Sequence, residues 1–336
     1  MSHSDTLVLV HVLYRHGERT TAKGGIYPKD PHRFVNYEPY GFGQLTNEGK
    51  KTMFELGNVL RERYSNFLGD RYFPGLLEAL SSDMDRTKVS LQLVLASLFK
   101  PTKNEIWNED LCWQPIPTRY IPLKQDDLFL PFLTTTYREL YKTNHLTSQK
   151  AKQIFEDYQD VFQILWEKTG LEISTIHDVF KIHDVLTTEV QFGLDLPDWA
   201  KPLHTTKIRE IATFDPEMQQ DTKELKKLAV GKMIGKICED TQKKIQDETS
   251  KIKMHMYSGH DINLGNILQA LGLRKPHLPN YGACLVMEIH KLDGDYVLKV
   301  FYRSDKNQDF THLGFDFGEF MEFDAFKKLS NEINLI

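Results

Sequence analysis

The chain has 336 residues, enough for one large α/β domain or two moderate ones. Hydrophobic residues make up 40% and aromatics 11%, so a real core is affordable and disorder is not the default. The 42 Lys and Arg stand against 47 Asp and Glu, giving a net charge of -5 at pH 7, which argues against binding nucleic acid through the overall field.

The opening "MSHSD" lacks the basic start and apolar middle of a signal peptide. Residues 7–14, "LVLVHVLY", are too short to span a membrane and read as a buried strand. They stop on Arg15, His16, Gly17, Glu18 and Arg19, where an ordinary strand end needs only a turn residue. An irregular stretch follows from residue 20 to about 44, and Thr46 then caps a helix running to Tyr64. Residues 76–81 form a short strand leading into "SSDMDRT" and a helix that carries Val89, Leu93, Val94 and Leu98. Between about 120 and 205 the pattern turns helical, with helices over 150–168 and 175–186 and little strand signal. A Lys-rich amphipathic helix covers 220–248, "IKMHMYS" alternates as a strand, and "SGHD" opens a helix closed by Gly272. "CLVMEIH" and "YVLKVFY" flank "KLDGD", a hairpin with Asp-Gly at its turn. Strands alternating with helices imply a layered α/β core. No repeat or linker is visible, the three cysteines are too scattered for a disulfide framework or zinc site, and there is no N-glycosylation sequon.

Three strands therefore end in chemistry. The first delivers Arg15, His16 and Arg19; the second Asp83, Asp85 and Arg86; the third Ser258, His260 and Asp261. In open α/β sheets ligands bind beyond the carboxyl ends of the strands, so the three ends are expected to converge. Three arginines, two imidazoles and a carboxylic acid suit a tetrahedral phosphate. The guanidiniums fork onto its oxygens, one imidazole attacks phosphorus and the acid protonates the leaving oxygen. Taken singly, each has a plainer explanation: a structural histidine, a paired arginine, an Asp capping the helix that follows. All three together, each just past a strand, make coincidence a poor account.

"RHGER", "DMDRT" and "SGHD" resemble the motifs of the histidine acid phosphatases, closest to the animal prostatic, lysosomal and insect type. "YGFGQLTNEG" at 40–49, "WQPIP" at 113–117 and "LPFL" at 130–133 extend the resemblance over most of the chain. It implies an α/β fold with a mixed, phosphoglycerate-mutase-like central sheet flanked by helices (1–119 and 206–336), with a smaller helical cap at 120–205. It also implies hydrolysis of phosphomonoesters through a phosphohistidine, without cofactor or metal. Carried over by motif, His16 is the nucleophile, Asp261 the proton donor, and Arg15, Arg19, Arg86 and His260 hold the phosphate. The family suggests an extracellular or lysosomal location and frequent homodimers. Three features depart from it: Thr21 stands where the family has Pro, Ile262 and Asn263 follow the His-Asp pair where it has Thr, and the expected partner of Cys284, near 187, is Thr.

Two other readings compete. An all-helical metal-dependent phosphohydrolase would use the His-Asp pairs at 177–178, 183–184 and 260–261. Positions 177 and 183 point to different helix faces, and the hairpin contradicts an all-helical chain. A catalytically weak or silent member could instead hold a small molecule in the cleft. Phe129 and Phe132, with His183, are expected as an aromatic pocket wall favouring a flat ligand with an anionic end, such as an aryl phosphate or acidic lipid. Asp126, Asp127 and Asp184, if they faced inward, would favour an aromatic amine.

Overall fold

The computed structural model describes Thr6–Leu335, so the opening "MSHSD", read above for leader character, lies outside the described residues. Strand β1 (Leu7–Arg15) is buried on both faces, which explains its unbroken apolar run. Leu9 and Leu13 join one apolar cluster, while Val10, Val12 and Tyr14 join another. The remaining strands are β2 (Leu77–Ser82), β3 (Arg119–Ile121), β4 (Met254–Gly259), β5 (Cys284–Leu292), β6 (Asp295–Arg303), β7 (Thr311–Leu313) and β8 (Met321–Glu322). They form one sheet in the order β3-β2-β4-β1-β5-β6-β7, with β8 also on β6. The sheet is mixed: β3, β2, β4 and β1 pair in parallel, and β5 turns the rest antiparallel. The β5–β6 turn has Asp293 at φ 51 and Gly294 at φ 100, the two positive angles that an Asp-Gly hairpin turn requires.

Helices α1 (Asn47–Leu68) and α2 (Asp85–Leu98) cover one face of the sheet through Met53, Leu56, Leu60, Leu91 and Val94. A helical region follows: α3 (Thr135–Thr147), α4 (Gln149–Asp157), α5 (Gln159–Thr169), α6 (Ile176–Gln191) and three single turns, α7 (Arg209–Ala212), α8 (Asp215–Met218) and α9 (Lys223–Lys226). Its apolar cluster runs from Tyr137 to Ala229. Then α10 (Lys232–Gln246), α11 (Asp261–Ala270) and α12 (Phe323–Asn334) cover the opposite face of the sheet.

Two expected helices are interrupted. The one over 150–168 breaks at Tyr158 (φ -120), and the break lets Phe155 stack on Phe162 with centroids 4.2 Å apart. The one over 220–248 opens into a wide turn at Lys227–Gly231. There the Gly231 carbonyl accepts from Asn334 Nδ2 at 3.1 Å, and a Cβ on Gly231 would lie 2.6 Å from the same side chain. Thr46 caps α1 as expected, its hydroxyl accepting from Gly49 N at 3.0 Å.

Candidate active site

The sheet order brings the three strand ends together. Arg15 at the end of β1 lies opposite Gly259 of β4, and Ser81 of β2 lies opposite Ser258. All three strands run parallel, so their carboxyl ends share one edge. The turn after β1 presses against the start of α1. A Cβ on Gly17 would sit 2.3 Å from the Gly49 carbonyl oxygen, and one on Gly49 would sit 2.0 Å from that of Glu18. Thr46 N donates to the Glu18 carbonyl at 3.0 Å, and Gly17 N donates to Ser90 Oγ of α2 at 3.2 Å. Both helices thus hold the His16 backbone.

His16 is 3% exposed and its tautomer is set by two contacts. Its Nδ1 donates to the Gly17 carbonyl at 2.8 Å, and Arg86 Nε donates to its Nε2 at 3.0 Å. The proton therefore sits on Nδ1, and the Nε2 lone pair faces the arginines. Burial, then Arg86, His260, Arg15 and Arg19, hold the imidazole well below its ordinary value. His260 packs edge-on at 5.4 Å, its Nε2 lying 2.9 Å from Ser82 Oγ. It too is held well below its ordinary value, by burial and then Arg86, Arg19 and Arg15.

Arg15 donates through Nη1 to the Pro279 carbonyl at 2.7 Å, lies 3.9 Å over the Tyr281 ring and meets Asp261 Oδ2 at 2.9 Å. Arg19 donates to Asp184 Oδ2 at 2.6 Å, and the other oxygen of Asp184 is 4.0 Å from Arg15. Burial works against the Arg19 charge, but Asp184 outweighs it and the guanidinium is raised above its usual value. Arg86 lacks such a partner, and burial beside Arg19 brings it down to about 10. The Arg15 and Arg19 Nε atoms and the Tyr281 hydroxyl are buried without hydrogen-bond partners. Unmet donors of this kind on neighbouring residues are what an anion with several oxygens would satisfy.

A cavity of about 210 Å³ opens here, lined by Arg15, Asp261, Tyr281, Phe180, His183 and Asp184 among others. His183 thus faces it, with His204 tilted against it at 5.1 Å. Burial and His204 bring His183 down to about 3. Phe129 and Phe132 do not line this cavity. Phe129 is fully buried in the sheet core beneath Gly259, because Asp126 and Asn263 both bind its backbone. Phe132 lines a different cavity, between α3 and α6. Asp126 caps Phe129 N, Asp127 points towards Lys232, and Asp184 is engaged by arginines, which leaves no inward carboxylate free for an amine. Asp83 pairs with Lys88, and Asp85 accepts from Gln44.

Asp184, Tyr281 and Phe180 belong to the site but not to the strand-end motifs, and Ser82 lies inside "SSDMDRT" without having been assigned a role. Asp184 carried one readable signal, the His-Asp pair at 183–184. The departures from the family pattern have local partners. Thr21 Oγ1 and Thr188 Oγ1 are 2.9 Å apart, and Asn263 accepts from His260 N at 2.8 Å while donating to the Phe129 carbonyl at 2.8 Å. Cys112, Cys238 and Cys284 are free thiols.

The chain is 38% identical to a venom acid phosphatase of Apis mellifera over 303 residues, 87% of this chain and 76% of that one. It is 31% identical to the prostatic acid phosphatase of Homo sapiens over 308 residues, 90% and 79% of the two chains. In fold it is similar to the phytase of Citrobacter braakii, with a TM-score of 0.68 at 17% identity over 98% of both chains. Residues 6–303 match the family model of the histidine phosphatase superfamily (branch 2), and with two such relatives above, the chain belongs to that family.

Proposed function

We propose that the protein is an acid phosphatase that hydrolyses phosphomonoesters in two steps through a covalent phosphohistidine on His16. Arg15, Arg19, Arg86 and His260 bind the phosphate oxygens. In the first step the His16 Nε2 lone pair forms the N–P bond as the P–O ester bond breaks, and Asp261 gives its proton to the leaving oxygen. In the second, water attacks phosphorus, Asp261 takes a proton from it, and the N–P bond breaks to release inorganic phosphate. The observation that carries this reading is the orientation of His16: Nδ1 tied to the Gly17 carbonyl, Nε2 turned to Arg86.

The charge environment supports an acidic optimum. His16 is held well below its ordinary value, so its lone pair survives at pH values where free imidazole, with a pKa of about 6.5, is protonated. Asp261 needs its proton to act as donor, and that favours low pH. The leaving group lies against Phe180, Tyr281 and His183, which suits a flat organic part. We take residues 120–205 as the cap over this cleft. Venom, prostatic and lysosomal relatives support an extracellular or lysosomal location, and a homodimer is the assembly to look for by sedimentation.

The test is turnover of 4-nitrophenyl phosphate at acid pH with chelator present. The wild-type protein should be active and labelled by an acid-labile, alkali-stable phosphoryl group. His16→Ala should lose both, with a rate loss beyond the roughly 10⁴-fold reached by removing a proton-transfer group. Asp261→Asn should slow alkyl phosphates far more than 4-nitrophenyl phosphate, whose leaving group needs little protonation. Full activity in His16→Ala would end this mechanism.

A further inference from the structure

Helix α6 separates two cavities. Phe180, His183 and Asp184 serve the active site, while His177 and Lys181 face a second cavity of about 510 Å³. Its aromatic lining is Phe132, Tyr137 and Tyr141, the two tyrosines stacked with centroids 5.8 Å apart. Its charged lining is mostly cationic. Lys142 and Arg138 of α3 join Lys181, against Asp178, which caps α6 at Thr175 and pairs with Lys181 at 3.4 Å.

Two polar groups here lack a partner. His177 Nδ1 donates to Asp215 Oδ2 at 3.0 Å, and Asp215 is 1% exposed. Asp215 also accepts from the Tyr141 hydroxyl at 2.6 Å and from Gln219 Nε2 at 2.7 Å, so it is fully engaged and fixes the imidazole. A ring held by Nδ1 directs Nε2 away from Asp215, and among the described residues none hydrogen-bonds to it. The Tyr137 hydroxyl is buried without a partner in the same lining, although Tyr137 is only 3% exposed. A buried hydroxyl left unpaired costs about 1–3 kcal/mol unless something meets it. A fixed ring nitrogen, an unpaired hydroxyl, a cationic rim and flat aromatic walls describe a complementary ligand.

We propose that this cavity is a second binding site, separate from the active site, for a small aromatic anion. The anionic group is taken by Lys142, the Tyr137 hydroxyl and, in the doubly protonated ring that faces the Asp215 carboxylate, the Nε2–H of His177, and the aromatic ring lies against Phe132 and Tyr141. An amine is excluded by the sign of the rim. The site does not depend on the phosphatase reading, because none of these groups belongs to the phosphate pocket. It is nonetheless connected to that pocket. His177 stacks on Phe180 at 5.7 Å and 10°, and Gln219 accepts from Asn266 of α11, the helix that Asp261 opens.

The test is calorimetry of benzoate binding to the whole protein with saturating orthophosphate present, so that the active site is filled. One benzoate per chain should bind. Lys142→Glu, an exposed change that leaves the core intact, should weaken it about three- to tenfold. His177→Phe, which keeps the ring and removes its nitrogens, should weaken it at least as much. Benzylamine should give no heat. Absence of benzoate binding, competition by orthophosphate, preference for benzylamine, or unchanged affinity in Lys142→Glu would each overturn the proposal. Should His177→Phe fail to fold, Lys142→Glu decides alone.

Discussion

Asp184 brings a carboxylate into a space built for an anion. Burial pushes its pKa up, but Arg19, Arg15 and Arg86 outweigh that and hold it below the usual carboxylate range. It stays ionised at acid pH and lets two neighbouring guanidiniums share a site before phosphate arrives. Phosphate must then bind against its charge. Asp184→Asn keeps an acceptor for Arg19 and removes that repulsion, so inhibition by orthophosphate should tighten, by roughly tenfold at low salt. Asp184→Ala loses the orientation as well and should bind phosphate more weakly than the wild type. If both variants shift the inhibition constant the same way, charge and orientation are not separate roles. The six strand-end residues were legible because each motif is local and follows its own strand. Asp184 was legible as a residue but not in its role, since its partner Arg19 lies 165 positions away on another element. Phe129 was misplaced for a related reason: its sequence neighbourhood names an aromatic but not the backbone bonds that pull it into the core.

At the scale of elements, the position of His16, the proposed nucleophile, depends on two glycines that pack backbone to backbone. Gly49, in the first turn of α1, has no room for a side chain because the Glu18 carbonyl is in the way. Gly49→Ala must push that turn away from α1, and His16 sits two residues before Glu18. The variant should unfold at lower temperature, losing on the order of 1–3 kcal/mol as overpacking does, with turnover falling more than substrate affinity. Equal stability and turnover would mean that the turn adapts freely. A helix start can be readable, as Thr46 illustrates, because a cap is a short-range pattern. The interruptions at Tyr158 and Lys227–Gly231 were not, because they answer to Phe162 and to Asn334, the latter more than a hundred residues on.

For the molecule as a whole, alternating strands and helices disclosed the layered class, but the sheet order was hidden. β4 sits between β2 and β1, although roughly two hundred and forty residues separate it from the latter, and no periodicity encodes such a neighbour. The shared apolar cluster from Tyr137 to Ala229 also runs past the position where composition changes, because packing follows contact rather than sequence.

Burial across both layers sets how stability follows pH. His11, His16, His183, His204 and His260 are all held below the ordinary imidazole value, with burial as the first cause. Their unfolded forms take up protons below about pH 6.5 while the folded forms resist, so stability falls as pH drops through that range. Glu189 acts in the opposite direction. Burial, then the charge of the neighbouring Asp30, raises it to about 8, and both its carboxylate oxygens are buried. Its contribution is complete below the unfolded value of about 4.3 and is lost as pH rises through about 8. Thermal midpoints should therefore peak at mildly acidic pH and decline on both sides. Glu189→Gln should remove most of the decline between pH 6 and 8 and make the fall below pH 6 steeper, because the carboxyl no longer offsets the histidines there. On the proposed function, saturating orthophosphate should raise the acid-side midpoints, because the arginine and histidine cluster it would occupy exists only in the folded state. A Glu189→Gln protein with the wild-type decline between pH 6 and 8 would remove the buried carboxyl pair as its cause and assign that slope to the surface charge instead.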